Sequence, residues 1–210
     1  GVVLVGVVRP KSESNPLRCV SGMNEVRHAL PLFFCRFRRY YPMFLDMIEK
    51  GLETEAFLFI LSTWNFATFR YAMKDFDLNG FKNKLDNLKP LFNKFKNKSI
   101  EEINFEDYKE DIRIIYETLA EIKGIQFTGT SKLMHLKNPE VFVMWDGYIR
   151  KAYGLKKGDF EDYFNFLKLM QKEFNGFCGK DKRTLAKCID EYNYVKFTLP
   201  ALEKNRRNKK

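Results

Sequence analysis

The sequence predicts an all-α protein, and three observations support this fold class. Apolar residues recur at helical spacing in several segments, most clearly over residues 107–122. One face of that segment carries Ile112, Ile115, Tyr116, Leu119 and Ile122. Glycines and capping residues separate the helical segments at the expected places, such as Asp159 before and Gly176 after residues 159–174. After residue 8 no segment alternates apolar and polar residues as an exposed strand would, and the short run 141–145 lies between two helical segments.

We expect one two-lobed helical domain over residues 23–203 of the 210-residue chain. Residues 1–22 are predicted to be an arm outside this domain, and residues 204–210 a basic tail without regular structure. The other predicted features are a helix that starts at Pro42 and runs through Met47 with Gly51 as its stop, a segment 54–73 that is buried on most sides, a break at Pro90 within residues 80–98, and a last helix over 180–197.

The charge balance favours a polyanionic partner. The chain has 37 Lys and Arg against 27 Asp and Glu, a formal net charge of +10. Such an excess suits nucleic acid or an anionic membrane surface, although a solvated lysine-rich surface alone would give the same composition. The sequence contains no run of 18 apolar residues, so we expect no membrane-spanning helix.

Composition argues against several kinds of site. The four cysteines, Cys19, Cys35, Cys178 and Cys188, form no C-x-x-C pair, and neither His28 nor His135 completes a zinc-ligand spacing. We therefore expect no metal and no cofactor, with the cysteines reduced in a cytoplasmic protein. His135 is predicted to be a packed or surface histidine. Phosphate-binding, serine-hydrolase and zinc-protease motifs are also missing from the sequence.

The most informative segment is 122–150. A glycine turn over residues 123–129, with Gly124 and Gly129, is predicted to join the helix 107–122 to a second helix that begins near Thr130 or Ser131. Such a turn lets backbone N–H groups approach a DNA phosphate, and the following helix adds its positive end. An apolar run then stops at Asp146, which is placed to cap a helix over 146–153.

Residues 107–153 resemble the helix–hairpin–helix base-excision DNA glycosylases. The predicted helix–hairpin–helix covers residues 107–137. The run Asp-Gly-Tyr-Ile-Arg-Lys at 146–151 is similar to the D-G-x-[VI]-[KR]-[RK] motif of the adenine-mismatch glycosylases, and Asp146 stands 22 positions after Gly124, the same step as in those families. Residues 60–63 resemble, more weakly, the start of an early helix in the family.

The resemblance implies a monofunctional DNA glycosylase with Asp146 as its catalytic carboxylate. Double-stranded DNA is the implied partner, and we expect a monomer without an iron–sulfur cluster. The implied DNA contacts are Lys123, Gly124, Gln126, Thr128, Gly129, Lys132 and Arg150. The implied base pocket consists of Trp64, Trp145 and Tyr148. Gln126 replaces the family's second hairpin glycine, and Thr128 stands where bifunctional members carry their nucleophilic lysine.

Two positions and two broader alternatives stay open at this stage. Lys132, one helical turn after Thr128, is either a displaced amine nucleophile or a solvated, phosphate-contacting lysine. Trp64 takes the place of the glutamine that fills the gap in the duplex in many relatives, and it is equally consistent with a core residue. Asp146 also fits an ordinary helix cap. The alternative functions are therefore a non-catalytic DNA-binding protein on the same scaffold and a purely structural helical protein.

Overall fold

Helices account for the regular secondary structure of the computed structural model, which describes residues 32–176 and 183–208, with side chains from residue 40 onward. Their bounds are α1 (Leu32–Glu49), α2 (Glu53–Trp64), α3 (Phe66–Phe69), α4 (Leu78–Asn93), α5 (Lys109–Ala120), α6 (Gln126–Lys137), α7 (Gly147–Ala152), α8 (Phe160–Glu173), α9 (Leu185–Asn193) and α10 (Leu199–Arg207). Short 3₁₀ helices occur at Met73–Asp75 and Phe105–Tyr108, and a π-helical turn, Tyr194–Thr198, joins α9 to α10. No strand occurs in these ranges, so the predicted all-α class is confirmed.

Two prolines that were predicted to interrupt helices lie inside them. Pro42 is within α1 and Pro90 is within α4, so the predicted helix start at Pro42 and the predicted break at Pro90 are wrong. Both prolines are exposed, whereas neighbours such as Phe44 and Leu88 are buried. An internal proline costs a helix about 3 kcal/mol. Here the buried faces on both sides of each proline hold the helix together, because packing contributes more to helix stability than local propensity does.

The C-terminal part of the chain also differs from the prediction. The helix predicted over 180–197 is instead α9 followed by the π-helical turn, and α10 extends to Arg207. Residues 204–207 of the predicted irregular tail are therefore helical, with Pro200 in the first turn of α10, where its missing N–H costs nothing. The predicted arm, residues 1–22, lies outside the described residues.

A continuous apolar core runs from Tyr41 in α1 to Ile189 in α9. In the segment predicted to be buried on most sides, only one face enters this core. Phe57, Ile60 and Leu61 are buried, whereas Phe59 and Tyr71 lie exposed. The burial of this segment is therefore one-sided, and its exposed Tyr71 borders the turn before α6.

The extended segment 141–145 crosses the core without forming a strand. The N–H groups of Val141 and Phe142 donate to the Asn138 carbonyl oxygen, and later backbone groups of the segment bond to side chains. The hydroxyl of Tyr163 donates to the Val143 carbonyl oxygen at 3.0 Å, and the Trp145 N–H donates to the hydroxyl oxygen of Ser131 at 3.2 Å. These bonds satisfy polar groups that would otherwise be buried without partners. They also fix the position of Asp146, the next residue.

Candidate functional site

The turn between α5 and α6 has an alternating backbone. Gly124 has a φ of +92° and Gln126 a φ of +52°, whereas Ile125 between them is right-handed, with φ −87° and ψ −62°. The second helix begins at Gln126, so its predicted start near Thr130 or Ser131 is wrong, and Thr128 and Gly129 lie in the first turn of α6. Alternating left- and right-handed residues direct successive N–H groups toward one side, an arrangement that binds anions.

A buried asparagine holds this turn in place. The side-chain amide nitrogen of Asn65, which is 4% exposed, donates to the carbonyl oxygens of Gly124 and Ile125, at 3.1 Å each. Space is also restricted, because a Cβ on Gly124 would lie 2.4 Å from the Cβ of Ala72. Asn65 is more than 55 positions away in the sequence, and no local pattern marks it as a partner of the turn.

The outer side of the turn borders a cavity of about 350 Å³, lined in part by Thr68, Tyr71, Lys123 and Gln126. The Tyr71 side chain is 72% exposed, and the Arg70 guanidinium lies 4.6 Å from the centre of its ring. The N-cap residue of α6, Ile125, forms no side-chain capping bond. The predicted contacts Lys123, Gly124 and Gln126 therefore line one cavity, where the Lys123 Nζ also lies 3.8 Å from Asp75 Oδ2.

Asp146 caps α7, as its position in the sequence predicted. Its Oδ1 accepts hydrogen bonds from the backbone N–H groups of Tyr148 at 2.8 Å and Ile149 at 3.0 Å. Its Oδ2 accepts a 2.7 Å hydrogen bond from the hydroxyl of Thr198, in the π-helical turn. Asp146 is half-buried. The carboxylate is thus fixed in orientation from two sides, by α7 and by the C-terminal helices.

Lys132 lies inside the protein instead of at the solvated surface that a phosphate contact would need. Its side chain is buried, and its Nζ donates to the backbone carbonyl oxygen of Trp64. Burial lowers the pKa of Lys132 to about 8, and the negative charges of Asp146 and Asp190 oppose this shift. Lys132 therefore interacts electrostatically with the Asp146 carboxylate, and it lies one helical turn after Thr128.

A second amine and a second carboxylate adjoin this pair. The Lys187 Nζ lies 2.5 Å from Asp190 Oδ2, and burial raises the pKa of Asp190. The same Nζ lies 4.7 Å from the ring centre of Tyr41 and 5.1 Å from that of Trp64. We name the set Tyr41, Trp64, Lys132, Asp146, Lys187 and Asp190 the inner polar cluster. The sequence analysis did not identify Tyr41, Lys187, Asp190 or Thr198.

His135 is a packed histidine, one of the two alternatives predicted. Its Nε2 is 2.7 Å from the Tyr41 hydroxyl, and its Nδ1 is 2.6 Å from the carbonyl oxygen of Phe142. Because the ring is buried and lies near the positive charge of Lys187, its pKa falls from 6.5 to about 3. The neutral ring thus links α1 to α6 at the inner end of the cluster.

This histidine is expected to make the fold sensitive to acid. Between pH 6.5 and 3 the unfolded chain binds a proton that the folded chain does not, so the free energy of unfolding falls as pH falls through that window. One such group contributes up to about 1.4 kcal/mol per pH unit. Urea unfolding at pH 7, 5.5 and 4.5 should show a shallower decline in His135→Gln than in the wild type. Equal slopes would contradict this account.

The predicted base-pocket residues have three different environments. Trp145 is fully buried, 4.9 Å from the ring of Tyr163, and its indole N–H donates to the Phe127 carbonyl oxygen. The structure thus places Trp145 in the core and not in a pocket. Trp64 is half-buried in the inner polar cluster, and Tyr148 is half-buried with its hydroxyl bonded to Asn205.

Arg150 packs against the first turn of α6. Its guanidinium carbon lies 5.7 Å from the ring centre of Phe127 and 5.5 Å from that of Trp145, and its Nε is buried without a hydrogen-bond partner. The side chain is half-buried, so its charge lies beside the N-terminal turn of α6 and does not extend freely into solvent. This position strengthens the positive potential near the turn.

Comparisons with known proteins do not assign the chain to a family. Neither a family model nor a curated protein nor a solved structure matches the chain. In the described ranges, no three acidic, histidine or cysteine side chains are grouped as metal ligands, and no helix has the length and apolarity needed to cross a bilayer. The inferences about function therefore rest on the geometry of the site.

Proposed function

We propose that this protein is a monofunctional DNA glycosylase that hydrolyses the N-glycosidic bond of a damaged or mismatched base, with Asp146 as the catalytic carboxylate. One observation carries the proposal: α6 begins at the glycine turn and, less than two helical turns later, the Ser131 hydroxyl accepts a hydrogen bond from the Trp145 N–H, directly before Asp146. A single rigid helix thus connects a surface suited to the DNA backbone with a fixed carboxylate. Glycosidic bond hydrolysis needs both, because the sugar has to be held close to the group that stabilises its charge.

The reaction would proceed through a positively charged sugar. The bond between C1′ and the base nitrogen breaks, its electron pair leaves with the base, and cationic character develops on the sugar ring. The Asp146 carboxylate stabilises that charge, and it accepts a proton from the water that adds to C1′. The leaving base takes up a proton from solvent water and Asp146 returns its proton to solvent, so the products are the free base and a sugar with a hydroxyl at C1′. Thr198 and the α7 N–H groups orient the carboxylate, and the Lys132 ammonium balances its charge inside the protein.

DNA would bind at the outer side of the turn. Lys123, Gly124 and Gln126 line the cavity that would hold a backbone phosphate, and the exposed ring of Tyr71 adjoins the same cavity. Aromatic rings beside a basic surface bind unstacked bases by their faces. With a net charge of +10, affinity should fall steeply as salt rises, because bound DNA releases its counterions.

A specific observation favours a second candidate, a DNA-binding protein without catalysis. The Asp146 oxygens already accept three hydrogen bonds from the protein, so helix capping alone accounts for their position. In this case the chain would recognise a distorted duplex through the turn and the Tyr71 surface, and it would release no base.

A lesion panel separates the two candidates. Duplexes that contain uracil, thymine opposite guanine, oxidised guanine, adenine opposite oxidised guanine, or an alkylated purine are incubated with the protein and analysed with and without alkali. We expect strand breaks at one class of lesion, and only after alkali. Breaks without alkali would contradict the monofunctional assignment and point to an amine such as Lys132. DNA binding without any breaks would favour the second candidate, and no binding even at low salt would contradict both.

A further inference from the structure

Part of the inner polar cluster has no role in the proposed bond cleavage. Lys187 and Asp190 on α9 form a close ion pair next to Tyr41 and Trp64, and the pair shares the interior with Lys132 and Asp146. Buried charged groups are costly unless they are paired, and a hydrophobic pair of similar volume would often stabilise a fold equally well. Charged groups retained beside a catalytic carboxylate are therefore candidates for ligand recognition.

Tyr41, Trp64, Lys187 and Asp190 form one corner of the inner polar cluster. The geometry of this corner suits the edge and the face of a nucleobase. The rings of Tyr41 and Trp64 are nearly parallel, with 11° between their planes and 6.3 Å between their centres. Lys187 supplies a hydrogen-bond donor and Asp190 an acceptor, 2.5 Å apart. Trp64 and Asp190 are partly exposed, whereas Tyr41 and Lys187 are buried. A stacking surface therefore meets an adjacent donor and acceptor at one place.

We propose that Trp64, Lys187 and Asp190 form the base-recognition site, and that this site selects a neutral base which presents a hydrogen-bond acceptor and an N–H group side by side. This inference rests on the proposed glycosylase function and names its substrate class. Such an edge occurs in uracil, in oxidised guanine and in adenine. The ammonium donates to the acceptor of the base, the carboxylate accepts from its N–H, and the base stacks on Trp64, as bases extruded from DNA do in other pockets.

The same geometry disfavours bases that carry a fixed positive charge, such as 7-methylguanine. Aromatic rings ordinarily attract cations, but here the Lys187 ammonium already lies within 5.1 Å of both ring centres. A cationic base stacked on Trp64 would place a second positive charge close to this ammonium. At such separations like charges repel strongly in a protein interior. The corner therefore discriminates by charge, even between bases with the same hydrogen-bonding edge.

Oxidised guanine and 7-methylguanine make a matched pair for the test, because both retain the guanine O6 and N1–H edge and only the second is cationic. Release of these bases, and of uracil and of adenine opposite oxidised guanine, is measured from duplexes of one sequence under single-turnover conditions. We expect release to be confined to neutral bases. Lys187→Gln should slow release of the preferred base by about 10- to 100-fold, because the glutamine amide is uncharged and one atom too short to donate from the position of the ammonium. Lys168→Gln, which removes an exposed lysine paired with Glu106, is the control.

A double variant distinguishes the loss of a contact with the base from the loss of the fold. Lys187→Gln leaves Asp190 without its cation, so Lys187→Gln/Asp190→Asn, which keeps the corner neutral, is measured alongside with thermal unfolding as the check. Slow release by a folded double variant supports the site. Release of 7-methylguanine at the rate of the neutral bases or faster, or wild-type rates in the folded double variant, would overturn the inference while the proposed function stands. If no base of either class is released, the proposed function fails as well.

Discussion

Asp146→Asn is expected to reduce base release by about 10²- to 10³-fold, the usual effect of removing one group that stabilises transition-state charge. Asparagine caps helices as well as aspartate does, so the α7 N–H groups keep an acceptor and the fold should persist. The amide carries no negative charge for the sugar cation and is a poor proton acceptor. Single-turnover release from the preferred lesion measures the effect, with DNA affinity measured in the same buffer.

The matched control for this variant is Asp159→Asn. Asp159 caps α8 through a 3.0 Å bond from the Asp162 N–H, in the same way that Asp146 caps α7. Both variants remove one carboxylate from a helix N-cap and lower the negative charge equally. Only Asp146→Asn should lose activity, and both should bind DNA at least as tightly as the wild type. If the two variants release base at the same rate as the wild type, Asp146 is only a cap.

Gly124→Ala should have the largest effect on the turn. The new Cβ would lie 2.4 Å from the Cβ of Ala72, and the residue would have to hold a φ of +92°. Strained backbone and overpacking each cost about 1 to 3 kcal/mol, so we expect a loss of about 2 to 4 kcal/mol in the free energy of unfolding. DNA affinity should fall too, because the backbone around Gly124 faces the proposed phosphate site.

Gly147→Ala is the matched control for Gly124→Ala. Nothing lies within 4 Å of a Cβ at this position, which is the first residue of α7. The change should be neutral or stabilise the protein by up to about 1 kcal/mol, since alanine favours helices over glycine. Urea unfolding of both variants tests the pair. Equal stability losses would show that the packing around Gly124 does not control the turn.

Local sequence patterns were sufficient to predict the helices and caps that depend on interactions between neighbouring residues. The α5 periodicity and the capping of α7 by Asp146 follow from residues within a few positions of one another, and the structure has both. Periodicity could not locate the start of α6, because the chain turns at Gln126, a residue that rarely adopts a positive φ. The turn is held instead by Asn65, which no local rule connects to Gly124.

Most of the candidate site depends on contacts that are distant in sequence. Thr198 bonds to Asp146 from 52 positions away, and the Lys132 amine meets a carbonyl group 68 positions earlier in the chain. Trp145 was predicted as one of the aromatic residues of a base pocket, whereas tertiary packing places its ring in the core. Sequence reasoning could identify the carboxylate, but it could not identify the residues that surround it.

Direct detection of a free base tests the central proposal most clearly. Lesion-containing duplex is incubated with the wild-type protein and with Asp146→Asn, at a salt concentration where both bind equally, and the released small molecules are identified by mass spectrometry. We predict one intact free base, in an amount that rises with the concentration of the wild-type protein. Asp146→Asn should release about 10²-fold less of it. Bound DNA from which no free base appears, or equal amounts of base from both proteins, would contradict it.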